Sequence, residues 1–229
     1  MEAIVLAGGF GTRLRQVVPD LPKPMAPIGS RPFLEILLNS LASKGFERVV
    51  LSLGYKAAVI SSHFGKSFAG IALDYVVENA PLGTGGAVRL AMTQCRGDHV
   101  FVFNGDTFVD LEAAQVEYLW QTRRHAIIVG RKVPDTTRYG RLQVLEGCVT
   151  GFCEKGMSGP GLINAGCYVL CADQLADWPL NMPFSLEADY LVRAVAVERI
   201  DFFETTGLFI DIGVPEDFHR AQTLLFEQT

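Results

Sequence analysis

The chain has 229 residues, 49% hydrophobic and 20% charged, which is material for one large domain with a full core. A formal net charge of -5 and a pI near 5.4 exclude a general binder of nucleic acid or of anionic membranes. No apolar run is long enough to span a bilayer, and no basic segment with a cleavage site opens the chain, so a cytoplasmic protein is expected.

The first half alternates strand and helix patterns. Ala3–Ala7 is an apolar strand. Pro32–Lys44 carries an apolar stripe at 33, 34, 37, 38 and 41, the spacing of a helix. Arg48–Leu53 is a strand, Ala57–Phe64 a short helix and Leu73–Glu78 a strand. Gly85–Thr93 is a helix opened by glycines, His99–Phe103 an apolar strand and Leu111–Arg124 a helix. Such alternation predicts a mostly parallel sheet with helices on both faces, a three-layer Rossmann-like α/β fold.

From Ala126 the pattern changes. AIIVGRKV is a strand, RLQVLEGCVTGFCEK a hairpin turning at Glu146-Gly147, and GLINAGCYVL another strand. Leu186–Arg199 reads as a helix and Ile200–Glu204 as a strand. A last helix opens at Pro215, with Glu216 and Asp217 in its first turn. No Pro- or Ser-rich linker separates the halves. One domain over 1–229 is expected, with a nucleotide-binding half to about 125 and a mixed-sheet half from about 126 that covers one side of the site. The five cysteines are odd in number. Four of them (Cys148, Cys153, Cys167, Cys171) lie in strand patterns, as buried reduced thiols do.

Ligands of open parallel sheets bind at the carboxyl ends of the strands. Three such ends are rich in glycine: GGFGTRL after the first strand, ENAPLGTGG after the third and NGD after the fourth. The first loop lacks the GK[ST] of a P-loop, and Leu14 stands where a dinucleotide fingerprint needs a small residue. Arg13 can grip two phosphate oxygens, and Lys23 is fixed between Pro22 and Pro24. Asp106 ends an apolar strand beside this loop. A carboxylate next to phosphate calls for a divalent cation between them, Mg²⁺ being the usual one, and Asp211 is a second candidate ligand.

LAGGFGTRLRQVVPDLPKPMAPIGSRPFLE resembles the signature of the sugar-1-phosphate nucleotidylyltransferases, which make nucleotide-diphosphate sugars. VENAPLGTGGAV, FNGDTFVD, YGRLQV, FCEK, INAGCYVL and FIDIGVPEDF resemble further motifs of that family, in the family's order. The resemblance implies backbone contacts to the base from Leu6, Ala7 and Gly8. Gly9, Gly11, Thr12 and Arg13 would wrap the triphosphate, and Glu78, Gly83 and Thr84 would line the nucleotide site. Lys23 would meet the transferring phosphate or the sugar phosphate. Tyr139, Gly140, Glu154, Lys155 and Asn164 would line the sugar and its phosphate, and Asp106 and Asp211 would hold Mg²⁺. Arg13, Lys23 and Asp106 are thus the expected catalytic residues.

The substrates implied are a nucleoside triphosphate and a sugar 1-phosphate, with no nucleic acid or membrane partner. Relatives in the family are often dimers, so a homodimer is the assembly to test. A carboxylate suits the adjacent N1–H and N2–H₂ of guanine, so Glu78 favours GTP. Short chains with PLGTGGAV and YGRL look most like guanylyltransferases for D-glycero-α-D-manno-heptose 1-phosphate. Mannose-1-phosphate guanylyltransferase and N-acetylmuramate-1-phosphate uridylyltransferase are the alternatives. A non-catalytic nucleotide-sugar-binding regulatory subunit would be expected to have lost some of Arg13, Lys23, Asp106 and Asp211, and all four are present.

Overall fold

The computed structural model describes residues 1–11, 13–14, 17–153 and 156–225. The first half holds β1 (Glu2–Leu6), β2 (Pro27–Ile28), β3 (Arg31–Pro32), α1 (Phe33–Ser43), β4 (Arg48–Leu53), α2 (Ala57–Phe64), β5 (Ser67–Phe68) and β6 (Ile71–Val77). Next come α3 (Gly83–Ala91), β7 (His99–Asn104), β8 (Thr107–Val109) and α4 (Ala113–Arg123). The second half holds β9 (Ile127–Val133), β10 (Arg141–Leu145), β11 (Cys148–Cys153), β12 (Gly161–Cys171), α5 (Val192–Ala194), β13 (Asp201–Glu204), β14 (Phe209–Asp211) and α6 (Pro215–Leu224).

One sheet of 10 strands, in the order β10-β11-β13-β9-β12-β7-β1-β4-β6-β5, forms the middle layer. β7, β1, β4 and β6 are parallel, as the strand–helix alternation requires. β12 then enters antiparallel between β7 and β9, so the second half of the sheet is mixed, with β13 alone parallel to β9. Side chains alternate across the sheet with the period of a strand. Ala3 and Val5 join Leu34, Leu37, Ile60 and Val116 on the face covered by α1, α2 and α4. Ile4 joins Val88, Leu186 and Leu191 on the opposite face, under α3 and the segment around 190. A third cluster packs α6 (Phe218, Ala221) against Phe33, Phe108 and Ile210, fixing the small β8/β14 ribbon beside the sheet.

The hairpin forms where its turn residues place it. Glu146 and Gly147 both have positive φ (50° and 74°), the backbone of a type I′ turn. The helix expected over Leu186–Arg199 is broken. A π-helical turn covers Leu186–Leu191, and α5 adds only Val192–Ala194. β-branched Val192, Val195 and Val197 favour helix poorly, and Val197 is exposed, so packing gives no reason to extend the helix. The cysteines are all free, and Cys167 is buried. Among the described residues no helix is long and apolar enough to cross a membrane.

Asp201 is fully buried at the end of the sheet away from the glycine-rich loops. Arg123 and Arg199 donate to Oδ1 at 3.0 and 3.1 Å, and His125 Nδ1 lies 3.3 Å from Oδ2. Burial alone would raise this carboxyl. The bonds from Arg123, Arg199 and His125 overcome burial and hold it below its ordinary value. A depressed carboxylate contributes stability that is present above its unfolded pKa and is lost as pH falls through the folded one. Asp201→Asn should therefore cost about 1.5–3 kcal/mol at neutral pH. In urea titrations the gap to the natural protein should close below about pH 4, near the unfolded carboxylate value.

Candidate active site

The parallel register sets Leu6 beside Ser52 on β4 and beside Asn104 on β7, so three strand ends lie in one row. Above them opens a cavity of about 510 Å³. Leu6, Gly8, Gly9, Glu78, Gly83, Thr84 and Asp106 all line it, which brings seven of the sequence-selected residues together. Further walls come from Phe10, Ser52, Gly54, Tyr55, Ala87 and Asn104. Gly54-Tyr55 follows β4, so it obeys the same strand-end rule that selected the other loops. Its single glycine made it the least conspicuous of the four.

Close backbone approach explains the first glycines. A Cβ on Gly8 would lie 2.8 Å from Glu78 Oε1 and 3.0 Å from the Gly54 amide nitrogen. Gly11 has φ +58°, and a Cβ there would meet the Lys23 side chain at 2.9 Å. Glu78 is half-buried on the cavity wall, and its Oε2 accepts from the Leu82 amide at 2.8 Å. Burial pushes the Glu78 carboxyl up, opposed in part by that amide.

The acids stand at the other end of the cavity. Asp106 follows β7. The β8/β14 ribbon pairs Thr107 with Asp211, and the Ile212 amide donates to the Asp106 carbonyl at 2.9 Å. Lys23 reaches into this acidic corner from the first loop, its ammonium 2.5 Å from Asp106 Oδ2 and its side chain only 10% exposed. Asp211 Oδ1 accepts from the Gly213 amide at 2.6 Å. Burial raises the Asp211 carboxyl, and the Asp106 charge raises it further against the opposing charge of Lys23. Two neighbouring carboxylates sharing one lysine fit a divalent cation with oxygen ligands. Among the described residues no third His, Cys, Asp or Glu joins them, so the other ligands would be water and phosphate oxygens.

Other selected residues lie apart. Arg13 is exposed and lines no part of the cavity among the described residues. Tyr139 packs edge-on against Phe209 at 6.2 Å, beneath Arg138, which donates to buried Asp217 at 2.6 Å. Gly140 lies against the Cys153 carbonyl. Asn164 bonds Tyr168, which lies in the same INAGCYVL motif, and Glu187, which no motif contained. The four histidines take packing and surface roles, as with His99 stacked 3.8 Å above Trp120. Thr12, Glu154 and Lys155 lie outside the described residues.

A nucleotidyl transferase family model matches residues 2–228. The chain is 38% identical to D-glycero-alpha-D-manno-heptose 1-phosphate guanylyltransferase of Aneurinibacillus thermoaerophilus, over 97% of both chains. It is 35% identical to mannose-1-phosphate guanylyltransferase of Mycobacterium tuberculosis, over 96% of this chain and 63% of that one. HddC from Yersinia pseudotuberculosis, solved in complex with GMP-PN, superposes with a TM-score of 0.85 at 38% identity, over 96% of this chain and 97% of that one. Its sheet, its loops and the length of these matches agree: the chain belongs to the nucleotidyl transferase family.

Proposed function

We propose that this protein transfers GMP from GTP to D-glycero-α-D-manno-heptose 1-phosphate, giving the GDP-sugar and pyrophosphate. The observation that carries the reading is the full-length similarity to a heptose 1-phosphate guanylyltransferase, joined to a cavity whose half-buried wall acid is Glu78. In this reading the base lies against Leu6, Ala7 and Gly8, with Glu78 accepting from guanine. Gly9, Gly11, Thr12 and Arg13 surround the triphosphate. Tyr139, Gly140, Glu154, Lys155 and Asn164 take the sugar and its phosphate.

The chemistry needs no general base. The sugar phosphate is already an anion, and one of its oxygens bonds the α-phosphorus of GTP. The bond between the α-phosphorus and the bridging oxygen to the β-phosphorus breaks, and pyrophosphate leaves with that electron pair. What the residues must supply is charge neutralisation and in-line positioning. Arg13 and Lys23 supply positive charge from one loop. Asp106 and Asp211 would hold Mg²⁺, which would draw negative charge off the phosphate oxygens. Lys23, paired with Asp106 here, is within reach of a phosphate bound at that corner.

Arg13→Ala and Lys23→Ala should each lower kcat by about 10²-fold or more while the folded circular dichroism spectrum survives. Near-normal pyrophosphate release in either variant would remove that residue from the mechanism. Base choice is read from turnover with GTP, UTP, CTP and dTTP. The natural protein should prefer GTP, and Glu78→Gln should lose most of that preference.

The raised Glu78 carboxyl adds a pH test. Its charged form is lost at a higher pH than an ordinary glutamate's, and guanine is read by the charged form. KM for GTP should therefore climb as pH is lowered from 7 towards 5. Glu78→Gln, with nothing to titrate at that position, should show a smaller rise, leaving what the raised Asp211 carboxyl and the phosphates contribute.

A further inference from the structure

Three side chains close a hydrogen-bonded cluster beside the cavity. Asn164 Nδ2 donates to the Tyr168 hydroxyl at 2.7 Å and to Glu187 Oε1 at 2.9 Å. Asn164 Oδ1 accepts from the Gly166 amide at 2.9 Å. The Tyr168 hydroxyl donates to the same Glu187 oxygen at 2.7 Å. An amide nitrogen has two hydrogens and a phenol has one, so every donor of the cluster is used internally. Tyr168 is buried, and burial above all, then the Glu187 charge, pushes its hydroxyl well above the ordinary value, so it stays a donor. An ionised carboxylate only accepts. Among the described residues Glu187 Oε2 receives no bond, and Glu187 is exposed.

The cluster adjoins the cavity through two of its wall residues, Thr84 and Asn104. Glu187 lies in the π-helical turn, and the amide of its neighbour Leu186 donates to Thr84 Oγ1 at 2.9 Å. Gly166 lies directly against the Asn104 side chain. Thr84 and Asn104 both line the 510 Å³ cavity. The turn itself is fixed locally: Ser185 Oγ accepts from the Ala188 amide, and Asp189 accepts from the Ser185 amide. Single π turns inside helices recur at functional sites because the extra residue re-aims side chains.

We propose that Glu187 is a specificity-determining residue for the sugar 1-phosphate, presenting an acceptor-only surface that takes a hydroxyl of the sugar. The inference rests on the guanylyltransferase reading above and adds a residue to its sugar site. Tyr168 and Asn164 hold the carboxylate in place, and its second oxygen meets the substrate. The ligand class is a pyranose with a free hydroxyl at that position. A deoxy or O-methyl sugar offers no donor there and binds more weakly, because the second carboxylate oxygen gains no hydrogen bond from it.

The test is steady-state pyrophosphate release by the full chain with GTP, Mg²⁺ and D-glycero-α-D-manno-heptose 1-phosphate or mannose 1-phosphate. Turnover by the natural protein tests the parent reading on its own. The ratio of variant to natural KM tests this one. Glu187→Gln keeps a carbonyl oxygen for Asn164 and Tyr168 but puts an amide donor in place of the second carboxylate oxygen. It should raise the KM for the sugar 1-phosphate tenfold or more while the KM for GTP stays within twofold. Tyr168→Phe keeps the carboxylate but removes one bond that holds it, and should raise the sugar KM a few-fold in the same selective way. An unchanged sugar KM in both variants, or a parallel rise for GTP and sugar, would overturn the proposal, the second result marking Glu187 as merely structural.

Discussion

The site is organised around two carboxylates that the fold brings together and one lysine that makes their proximity tolerable. Asp106 comes from the end of β7, Asp211 from β14 and Lys23 from the loop after β1. None of the three is close in sequence to another. The ribbon pairing of Thr107 with Asp211 puts the acids side by side, and the Lys23–Asp106 contact ties the first loop to them. Without a cation the two acids would repel across a partly buried space. One ion pair thus joins the first loop, the fourth parallel strand and the small ribbon under α6.

That corner divides the labour of the cavity. Towards β1, β4 and β6 the walls are backbone and apolar surface with a single acid, Glu78, which suits a flat base. Near Asp106 the walls become charged, which suits phosphates. The antiparallel entry of β12 beside β7 then carries Asn164 towards the same row of strand ends, with Tyr168 buried behind it. The mixed second half adds to this side of the sheet the strand that carries Asn164.

The glycine-rich loops, their acids and their order were legible in the sequence because each obeys a local rule. Apolar strands end at glycines, and the chain turns back over the sheet edge. Six of the site residues in those loops, Gly8, Gly9, Glu78, Gly83, Thr84 and Asp106, line one cavity. The Glu146-Gly147 turn was legible for the same reason, since a two-residue turn between alternating strands needs positive φ. The cluster of Asn164, Tyr168 and Glu187 was not. Its members are joined only when the segment around 187 folds over α3, and no period in the sequence encodes a contact between a strand and an irregular turn. The broken helix after Leu186 escaped notice because its apolar spacing is helical while its valines and its packing are not.

The sequence by itself determined the strand–helix alternation, the loops that bear glycine, and the charged residues available at each strand end. Those are consequences of local sterics and of hydrophobic period, both of which are written in neighbouring residues. The tertiary structure alone decided which charges meet. It paired Lys23 with Asp106, set Tyr139 against Phe209 rather than in the cavity, and turned Glu187 towards Asn164. Such contacts depend on the register and packing of elements far apart in the chain, and a charge carries no mark in the sequence of the partner it will find.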